Sequence, residues 1–189
     1  MKVAKSELVA ESWRRGLLSW KLYKHQLPIY NAVWAAIKDD TKLKYVINCS
    51  RRFGKTTILC LIALEYGIQN PNSQIRFAAP TAKSLRKIIH PIFKMLLEDC
   101  PKSLLPKYRG QEDVFVLPNG SQLHLSGTDN GHEKNLRGTV SHLNLVDEAG
   151  SMNNLNYIVK SILNPQTLTV KGSTIIASTP SVSSDHDYY

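Results

Sequence analysis

The sequence has few cysteines and no long apolar segment. Its three cysteines, Cys49, Cys60 and Cys100, are odd in number and lack the spacing of a metal site, so they indicate reduced thiols rather than disulfides or a zinc centre. No apolar run reaches the roughly 18 residues of a membrane span, and the N-terminus lacks the apolar stretch of a signal peptide. These absences predict a soluble, intracellular protein.

Acidic residues are also scarce. The 189 residues include 15 aspartates and glutamates against 24 lysines and arginines, which gives a net charge of +9. This excess favours a polyanionic partner such as nucleic acid, and a basic surface that only confers solubility is the alternative. The length favours one compact domain with a single core.

The most informative stretch is residues 44–57, KYVINCSRRFGKTT. An apolar, β-rich run breaks at a polar turn and a helical pattern starts after Gly54, the setting in which Gly-Lys-Thr forms a phosphate-binding loop. Lys55 would contact the β- and γ-phosphates of a nucleotide, and Thr56 would offer its hydroxyl to Mg²⁺. Cys49 stands where this motif usually has a glycine, and a chance loop is the alternative. The predicted nucleotide-binding residues of the loop are Ser50, Arg51, Arg52, Phe53, Gly54, Lys55, Thr56 and Thr57.

The segment before this loop shows helical spacing. Apolar residues recur at helical intervals from Leu27 to Ile37, and Pro28 suits a first helical turn. Gln26 lies at the start of this helix, where its amide could pair with an adenine edge; a solvent-facing amide is the alternative. Residues 1–22 are expected to form a helix or an ordered arm.

Strand and helix patterns alternate after the loop. QIRFAAP indicates a buried strand, a helix capped near Thr81 follows with a kink predicted at Pro91, and residues 173–179 indicate another strand. This order is typical of an α/β domain with a mainly parallel sheet. The runs DVFVLP and SQLHLSG flank Asn119 and Gly120 and predict a β-hairpin inserted into that order.

A second decisive feature is VSHLNLVDE, residues 140–148. A strand that ends in Asp147 and Glu148 places both carboxylates at the carboxyl edge of the sheet, where ligands of α/β proteins bind. Asp147 would hold the water shell of Mg²⁺, while Glu148 would orient and deprotonate an attacking water. The alternative is a solvated turn.

Three further segments contain candidate residues. Lys102, Lys107 and Arg109 lie in a segment that we expect to be irregular, where they could face a DNA phosphate backbone or lie in a solvated loop. The polar loop 127–138 ends in Arg137 and is a suitable place for a mobile arginine. The last strand ends in small hydroxyls that could sense a γ-phosphate, unless it is simply a strand stopped by proline; the residues are Ser178, Thr179 and Pro180.

The motifs SRRFGKTT, AAPTAKS, LRG ahead of LVDEAG, and ASTP together resemble the N-terminal ATPase domain of the large terminase subunit of tailed bacteriophages. This domain is the motor that packages DNA into a prohead, and the resemblance spans about residues 20–181. It implies a RecA-like P-loop NTPase fold with helices on both sides of a mainly parallel sheet. It also implies ATP and Mg²⁺ as cofactors and adenine contacts around Gln26.

The resemblance assigns roles and partners as well. Glu148, Lys55 and Arg137 would be catalytic, with Arg137 reaching a neighbouring subunit's nucleotide and Arg51 or Arg52 acting within the subunit. The implied partners are double-stranded DNA, the portal protein and the small terminase subunit. The chain would form a homo-oligomeric ring, usually a pentamer, on the portal and be a monomer in isolation, with no membrane association. Its location would be the host cell cytoplasm, at the portal vertex of the prohead.

The resemblance also sets expectations for domain organisation. Residues 23–181 would form the ATPase domain, and residues 182–189 would begin a linker to an RNase H-like nuclease domain that is absent from this sequence. Nuclease activity is not expected, because the chain has no cluster of carboxylates suited to two metal ions. Two alternatives remain: the first motor domain of a helicase, and a nucleotide-gated DNA-binding module without turnover. The Asp-Glu-Ala-Gly sequence argues against the first, and Lys55 and Glu148 argue against the second.

Overall fold

A computed structural model describes residues 5–39, 44–129 and 140–180 of the chain. The strands are β1 (Lys44–Asn48), β2 (Gln74–Ala79), β3 (Lys107–Arg109), β4 (Val114–Val116), β5 (Gln122–Gly127), β6 (Leu143–Val146) and β7 (Ser173–Ser178). The α-helices are α1 (Lys5–Arg15), α2 (Leu27–Ile37), α3 (Lys55–Gln69), α4 (Ala82–Ser84), α5 (His90–Leu96), α6 (Leu155–Tyr157) and α7 (Asn164–Thr167). The π-helical segments Leu85–Ile89 and Ile158–Leu163 join α4 to α5 and α6 to α7, and 3-10 turns lie at Ser19–Lys21, Lys24–Gln26 and Ala149–Ser151. None of the helices in these ranges has both the length and the hydrophobicity that a bilayer crossing requires.

The seven strands form one sheet in the order β1-β7-β6-β2-β5-β4-β3. The first five of these strands run parallel, which confirms the predicted α/β class. Only β7 separates β1 from β6, so the loop after β1 and the carboxylates after β6 emerge at the same edge of the sheet. The fold therefore brings the two decisive sequence features together.

The predicted hairpin is confirmed, with β4 antiparallel to β5. Its second strand also pairs in parallel with β2, so the hairpin extends the main sheet. The segment that contains Lys107 and Arg109 was expected to be irregular, and that expectation is wrong, because these residues form strand β3 at the sheet edge. The alternation that identifies a half-buried strand is missing there, since all three residues of β3 are exposed. The Tyr108 ring packs 4.8 Å from the rings of His90 and Phe115, which holds this edge in place.

Helices cover both faces of the sheet. Helix α3 lies on one face, and its residues 58–64 are all fully buried because α1 and α2 cover its outer side. Trp13 and Leu18 belong to the same core as α3, so the predicted helix within residues 1–22 packs directly on the sheet domain. The segment from α6 to α7 packs on the opposite face against Ala78, Val146 and Ile176.

A carboxylate is buried where the N-terminal segment meets α3. Glu65 is fully buried and accepts hydrogen bonds from Leu18 N at 2.5 Å, Tyr30 Oη at 2.8 Å and Trp34 Nε1 at 3.0 Å. Burial raises the pKa of Glu65, and the hydrogen bonds partly oppose this effect. Glu65 thus ties the N-terminal segment and α2 to the helix that follows the phosphate loop.

The helical segment after β2 begins as the sequence predicts. Thr81 caps α4 by accepting a hydrogen bond from Ser84 N at 3.0 Å. The kink predicted at Pro91 stays a prediction, and a π-helical segment, Leu85–Ile89, ends two residues before the proline. Proline lacks the N–H that a regular helix would use at this position, and a wider turn ahead of it accommodates the loss.

Candidate functional site

The loop between β1 and α3 has two residues with left-handed backbone conformations. Arg52 has φ of 62° and Gly54 has φ of 91°. A Cβ added to Gly54 would lie 2.1 Å from Gln26 Nε2, and its φ is one that L side chains rarely adopt, so this position favours glycine. Cys49 has no positive φ, so the glycine that the motif usually has at this position is not required by the backbone. The departure at Cys49 therefore imposes no left-handed backbone strain on the loop.

The side chain of Lys55 is buried beneath this loop. The residue is 4% exposed, and Nζ donates to Cys49 O and Ser50 O at 3.1 Å each and to Thr179 Oγ1 at 3.2 Å. Glu148 Oε1 lies 3.9 Å from the same ammonium. A buried ammonium at a helix N-terminus suits contact with phosphate oxygens.

Thr56 and Asp147 connect the loop to the end of β6. Thr56 Oγ1 donates to Asp147 Oδ2 at 2.8 Å. Asp147 is 4% exposed, and its other oxygen, Oδ1, has no hydrogen-bond partner among the described residues. Burial raises the pKa of Asp147 to about 6, and the Thr56 hydroxyl opposes the shift. A hydroxyl beside a carboxylate with one unsatisfied oxygen matches the hard oxygen ligands that Mg²⁺ takes.

Glu148, the residue after Asp147, has a strained backbone conformation, with φ of 48° and ψ of 45°. Thr179 Oγ1 lies 3.5 Å from Glu148 Oε2 while it accepts the hydrogen bond from Lys55. Ser178 Oγ accepts from Gly150 N at 2.9 Å, and its carbonyl accepts from Cys49 N at 3.3 Å. The end of β7 therefore contacts both the phosphate loop and the segment after β6, while the adjacent Pro180 is exposed.

Thr56, Asp147 and Glu148 line a cavity of about 370 Å³. Its polar lining includes Arg51, Arg52, Thr56, Asp147, Glu148 and Ser151. Ser84 and Ile88, from the helical segment after β2, line the opposite wall. The sequence predicts a helix there, but its pattern does not indicate that this helix belongs to the site. The helix begins just after the carboxyl end of a parallel strand, at the edge of the sheet where ligands bind. This position was the signal that could have assigned the helix to the site.

Gln26 is buried against the loop, being only 3% exposed. Its Oε1 accepts from Tyr23 N at 2.9 Å, and its Nε2 donates to Phe53 O and Gly54 O at 3.3 Å each. The alternative of a solvent-facing amide is therefore wrong. The amide supports the phosphate loop, and its pairing with adenine stays a prediction.

The three predicted DNA-binding residues lie apart from this cavity. Lys107 and Arg109 are exposed on β3, at the opposite end of the strand order from β1, and Lys102 is exposed before that strand. Thr57 is half-buried in the first turn of α3. Arg137 and residues 182–189 lie outside the described residues. Within the described ranges, no cluster of three or more histidine, cysteine or acidic side chains is suited to hold a metal.

Solved structures of phage terminases share this fold. The large terminase ATPase domain of Thermus phage P74-26 is 21% identical, with a TM-score of 0.64 over 87% of this chain and 67% of that one. The large terminase of bacteriophage HK97 is 16% identical, with a TM-score of 0.67 over 93% of this chain and 38% of that one. A large terminase from a thermophilic bacteriophage, solved with ADP, is 15% identical, with a TM-score of 0.61 over 83% of this chain and 39% of that one.

These likenesses show the fold, a RecA-like domain with a mainly parallel sheet. The chain spans about two fifths of the HK97 protein and of the thermophilic phage protein. No curated protein matches the chain in sequence. The model of one family, described as the terminase large subunit, T4likevirus-type, N-terminal, matches residues 46–189. The chain therefore belongs to the terminase large subunit family and contains its N-terminal domain.

Proposed function

We propose that this chain is an ATP-hydrolysing motor domain that drives double-stranded DNA into a viral prohead. The observation that carries the proposal is the meeting of Thr56, Asp147 and Glu148 around one cavity, after two parallel strands. The buried ammonium of Lys55 lies 3.9 Å from Glu148 Oε1. Related large terminases from a thermophilic bacteriophage have been solved with ADP and with ATP-γ-S, which supports a nucleotide as the ligand.

The residues divide the chemistry of phosphoryl transfer among them. Lys55 would bind the β- and γ-phosphate oxygens from beneath the loop. Thr56 and Asp147 would hold Mg²⁺, which neutralises charge on the phosphates when bound. Glu148, next to Asp147, would orient the attacking water and accept its proton. Its 42% exposed side chain leaves access for that water.

Thr179 suits a role in coupling. Its hydroxyl contacts both the Lys55 ammonium and the Glu148 carboxylate, so a change in either contact would reach the end of β7. Ser178 extends this link to the backbone after Glu148. Through these contacts, the presence or loss of the γ-phosphate would affect the end of β7.

Arginines would complete the site. Arg51 and Arg52 line the cavity and could contact phosphates within the subunit. Arg137 would act on the nucleotide of a neighbouring subunit, as the terminase resemblance implies. The chain would then work as a ring on the portal, with the small terminase subunit as a partner, at the portal vertex in the host cytoplasm.

The test is phosphate release from ATP, measured together with nucleotide binding. The parent protein should hydrolyse ATP in the presence of Mg²⁺, and Glu148→Gln should bind ATP yet lose turnover, because an amide cannot accept the proton of water. Glu98→Gln, at an exposed carboxylate outside the cavity, is the matched control. Equal turnover by Glu148→Gln and the parent would refute the proposal.

A further inference from the structure

A buried guanidinium lies on the opposite side of β2 from the α3 core. Arg76 is 6% exposed, and its Nε has no hydrogen-bond partner in the described part of the chain. No ion pair or hydrogen bond joins the side chain of Arg76 to another described residue, although a guanidinium stays charged in proteins. A buried charge is costly unless it is paired, so this arginine calls for an anionic partner.

Arg76 lines a cavity of about 450 Å³ that is distinct from the nucleotide cavity. Arg86, from the π-helical segment before α5, lines the same cavity, and its side chain also makes no hydrogen bond or ion pair with another described residue. His124 is the cross-strand neighbour of Arg76 on β5. Burial lowers the pKa of His124, so the positive charge of the cavity comes from the two arginines.

The carboxylates at this cavity already have other partners. Asp113 Oδ1 accepts a hydrogen bond from Tyr108 Oη at 2.5 Å and lies 3.8 Å from His90 Nε2. Glu112 Oε2 lies 3.8 Å from Arg109 Nη1. The acidic groups are thus engaged along the β3–β4 turn, while the guanidiniums that face the same space are not.

A neighbouring amide could satisfy only a small part of Arg76. Asn144, its register partner on β6, has an Oδ1 atom without a partner among the described residues. A hydrogen bond to this oxygen would use one of the five N–H groups of the guanidinium. Two guanidiniums around a polar cavity match the oxygens of a phosphate group, which arginine binds in a bidentate manner.

We propose that Arg76 and Arg86 form a site for a phosphate oxyanion, separate from the phosphate loop at Lys55. The oxyanion is either free inorganic phosphate or a phosphodiester of the DNA backbone. The DNA source rests on the proposed motor function, whereas the free-phosphate source does not.

The experiment is a titration of ¹⁵N-labelled protein with inorganic phosphate, followed through the arginine side-chain Nε–H signals. A Lys55→Ala background removes phosphate binding at the nucleotide loop, so the readout is independent of ATP hydrolysis. Saturable shifts of the Arg76 and Arg86 signals are expected. Since charge-assisted hydrogen bonds are strong, Arg86→Gln should weaken this binding about tenfold. Lys94→Gln, an exposed position on α5 outside the cavity, should leave it unchanged.

Arg86→Gln keeps the proposal testable if Arg76→Gln fails to fold, because Arg86 is exposed. Displacement of phosphate by a short DNA duplex would identify the phosphodiester as the ligand, and its absence would identify free phosphate. The proposal is overturned if Lys55→Ala abolishes all phosphate binding, or if Arg86→Gln binds phosphate as the parent does. Absence of ATP hydrolysis by the protein with Lys55 intact, with these shifts still present, would instead count against the motor function alone.

Discussion

The hydroxyl of Thr56 donates a hydrogen bond to the carboxylate of Asp147 at 2.8 Å, across a sequence separation of 91 residues. This contact joins the first turn of α3 to the end of β6. It fixes the orientation of the Asp147 carboxylate, which leaves Oδ1 without a partner among the described residues. The two proposed metal-binding residues are thus positioned by each other.

We expect Thr56→Val to weaken the response of ATP hydrolysis to Mg²⁺. Valine removes a metal ligand and the donor that lowers the pKa of Asp147. A single lost hydrogen bond to a charged group corresponds to about tenfold, which should appear as a shift in the Mg²⁺ concentration for half-maximal hydrolysis. Thr56→Ser should retain the parent response. Thr169→Val, at an exposed threonine outside the cavity, is the matched control.

Thr179→Val should lower kcat more than it weakens ATP binding. The hydroxyl of Thr179 accepts from Lys55 and lies 3.5 Å from Glu148, so its loss disturbs the lysine and the general base together. A loss of about tenfold in kcat corresponds to one hydrogen bond to a charged group. Thr179→Ser should restore the rate. An unchanged kcat in Thr179→Val would show that this hydroxyl has no part in turnover.

The sequence was sufficient to predict the strands and turns that carry the candidate site residues. Each depends on a local pattern, namely an apolar strand, a turn and the residues directly after it, and both β1 with Lys55 and β6 with Asp147 follow that pattern. The role of Gln26 was not predictable, because the carbonyls that it supports are 27 and 28 residues away. Glu65 and Arg76 were missed for the same reason, since a buried charge within an apolar run has no local signal for its partners.

Glu65 makes stability depend on pH. Burial raises its folded pKa above the ordinary value of 4.5, so between the unfolded and folded pKa values the folded protein binds more protons than the unfolded chain. The free energy of unfolding should therefore fall as pH rises through this interval. In Glu65→Gln, urea unfolding from about pH 4 to pH 7 should show a smaller fall than in the parent.

The same variant should be less stable in absolute terms. An amide offers one acceptor oxygen where the carboxylate offers two, so one of the donors Leu18 N, Tyr30 Oη and Trp34 Nε1 loses its partner. That loss costs about 1–3 kcal/mol. Glu98→Gln, an exposed substitution, is the control for the change in charge. An identical pH dependence in Glu65→Gln and the parent would contradict this account.

Binding to double-stranded DNA should be weak, independent of sequence and steeply reduced by salt, because the net charge of +9 favours contacts with phosphates over contacts with bases. Lys102, Lys107 and Arg109 are all exposed. The slope of log K against log salt is negative, and each phosphate contact that is lost reduces its magnitude by about 1. In the variant with glutamine at all three positions, the magnitude should therefore fall by up to about 3. The control is a second triple variant, with glutamine at the exposed residues Lys5, Lys160 and Lys171. It changes the net charge by the same amount at other places on the surface. Equal slopes for the two triple variants would remove Lys102, Lys107 and Arg109 from the DNA-binding surface.

Arg137 should act on the nucleotide of a neighbouring subunit, as the terminase resemblance implies. A guanidinium delivered to the transferring phosphoryl group stabilises charge in the transition state and is worth about 10³ to 10⁵ in rate. The protein should therefore bind ATP but hydrolyse it slowly when dilute, with activity per subunit rising as concentration permits assembly. The alternative is that Arg137 pairs with a carboxylate of its own subunit and only shapes its loop.

Mixing two inactive variants separates these roles. Arg137→Ala contributes an intact phosphate loop, and Lys55→Ala contributes an intact arginine, so each alone should be inactive. If Arg137 acts across subunits, the mixture regains phosphate release at concentrations where the parent is assembled and active, because some interfaces then combine an intact Lys55 with a neighbour's Arg137. Mixing Arg137→Ala with the double variant Lys55→Ala/Arg137→Ala is the control, since no subunit then supplies the arginine. A mixture of the two single variants that stays inactive under those conditions would assign Arg137 to its own subunit.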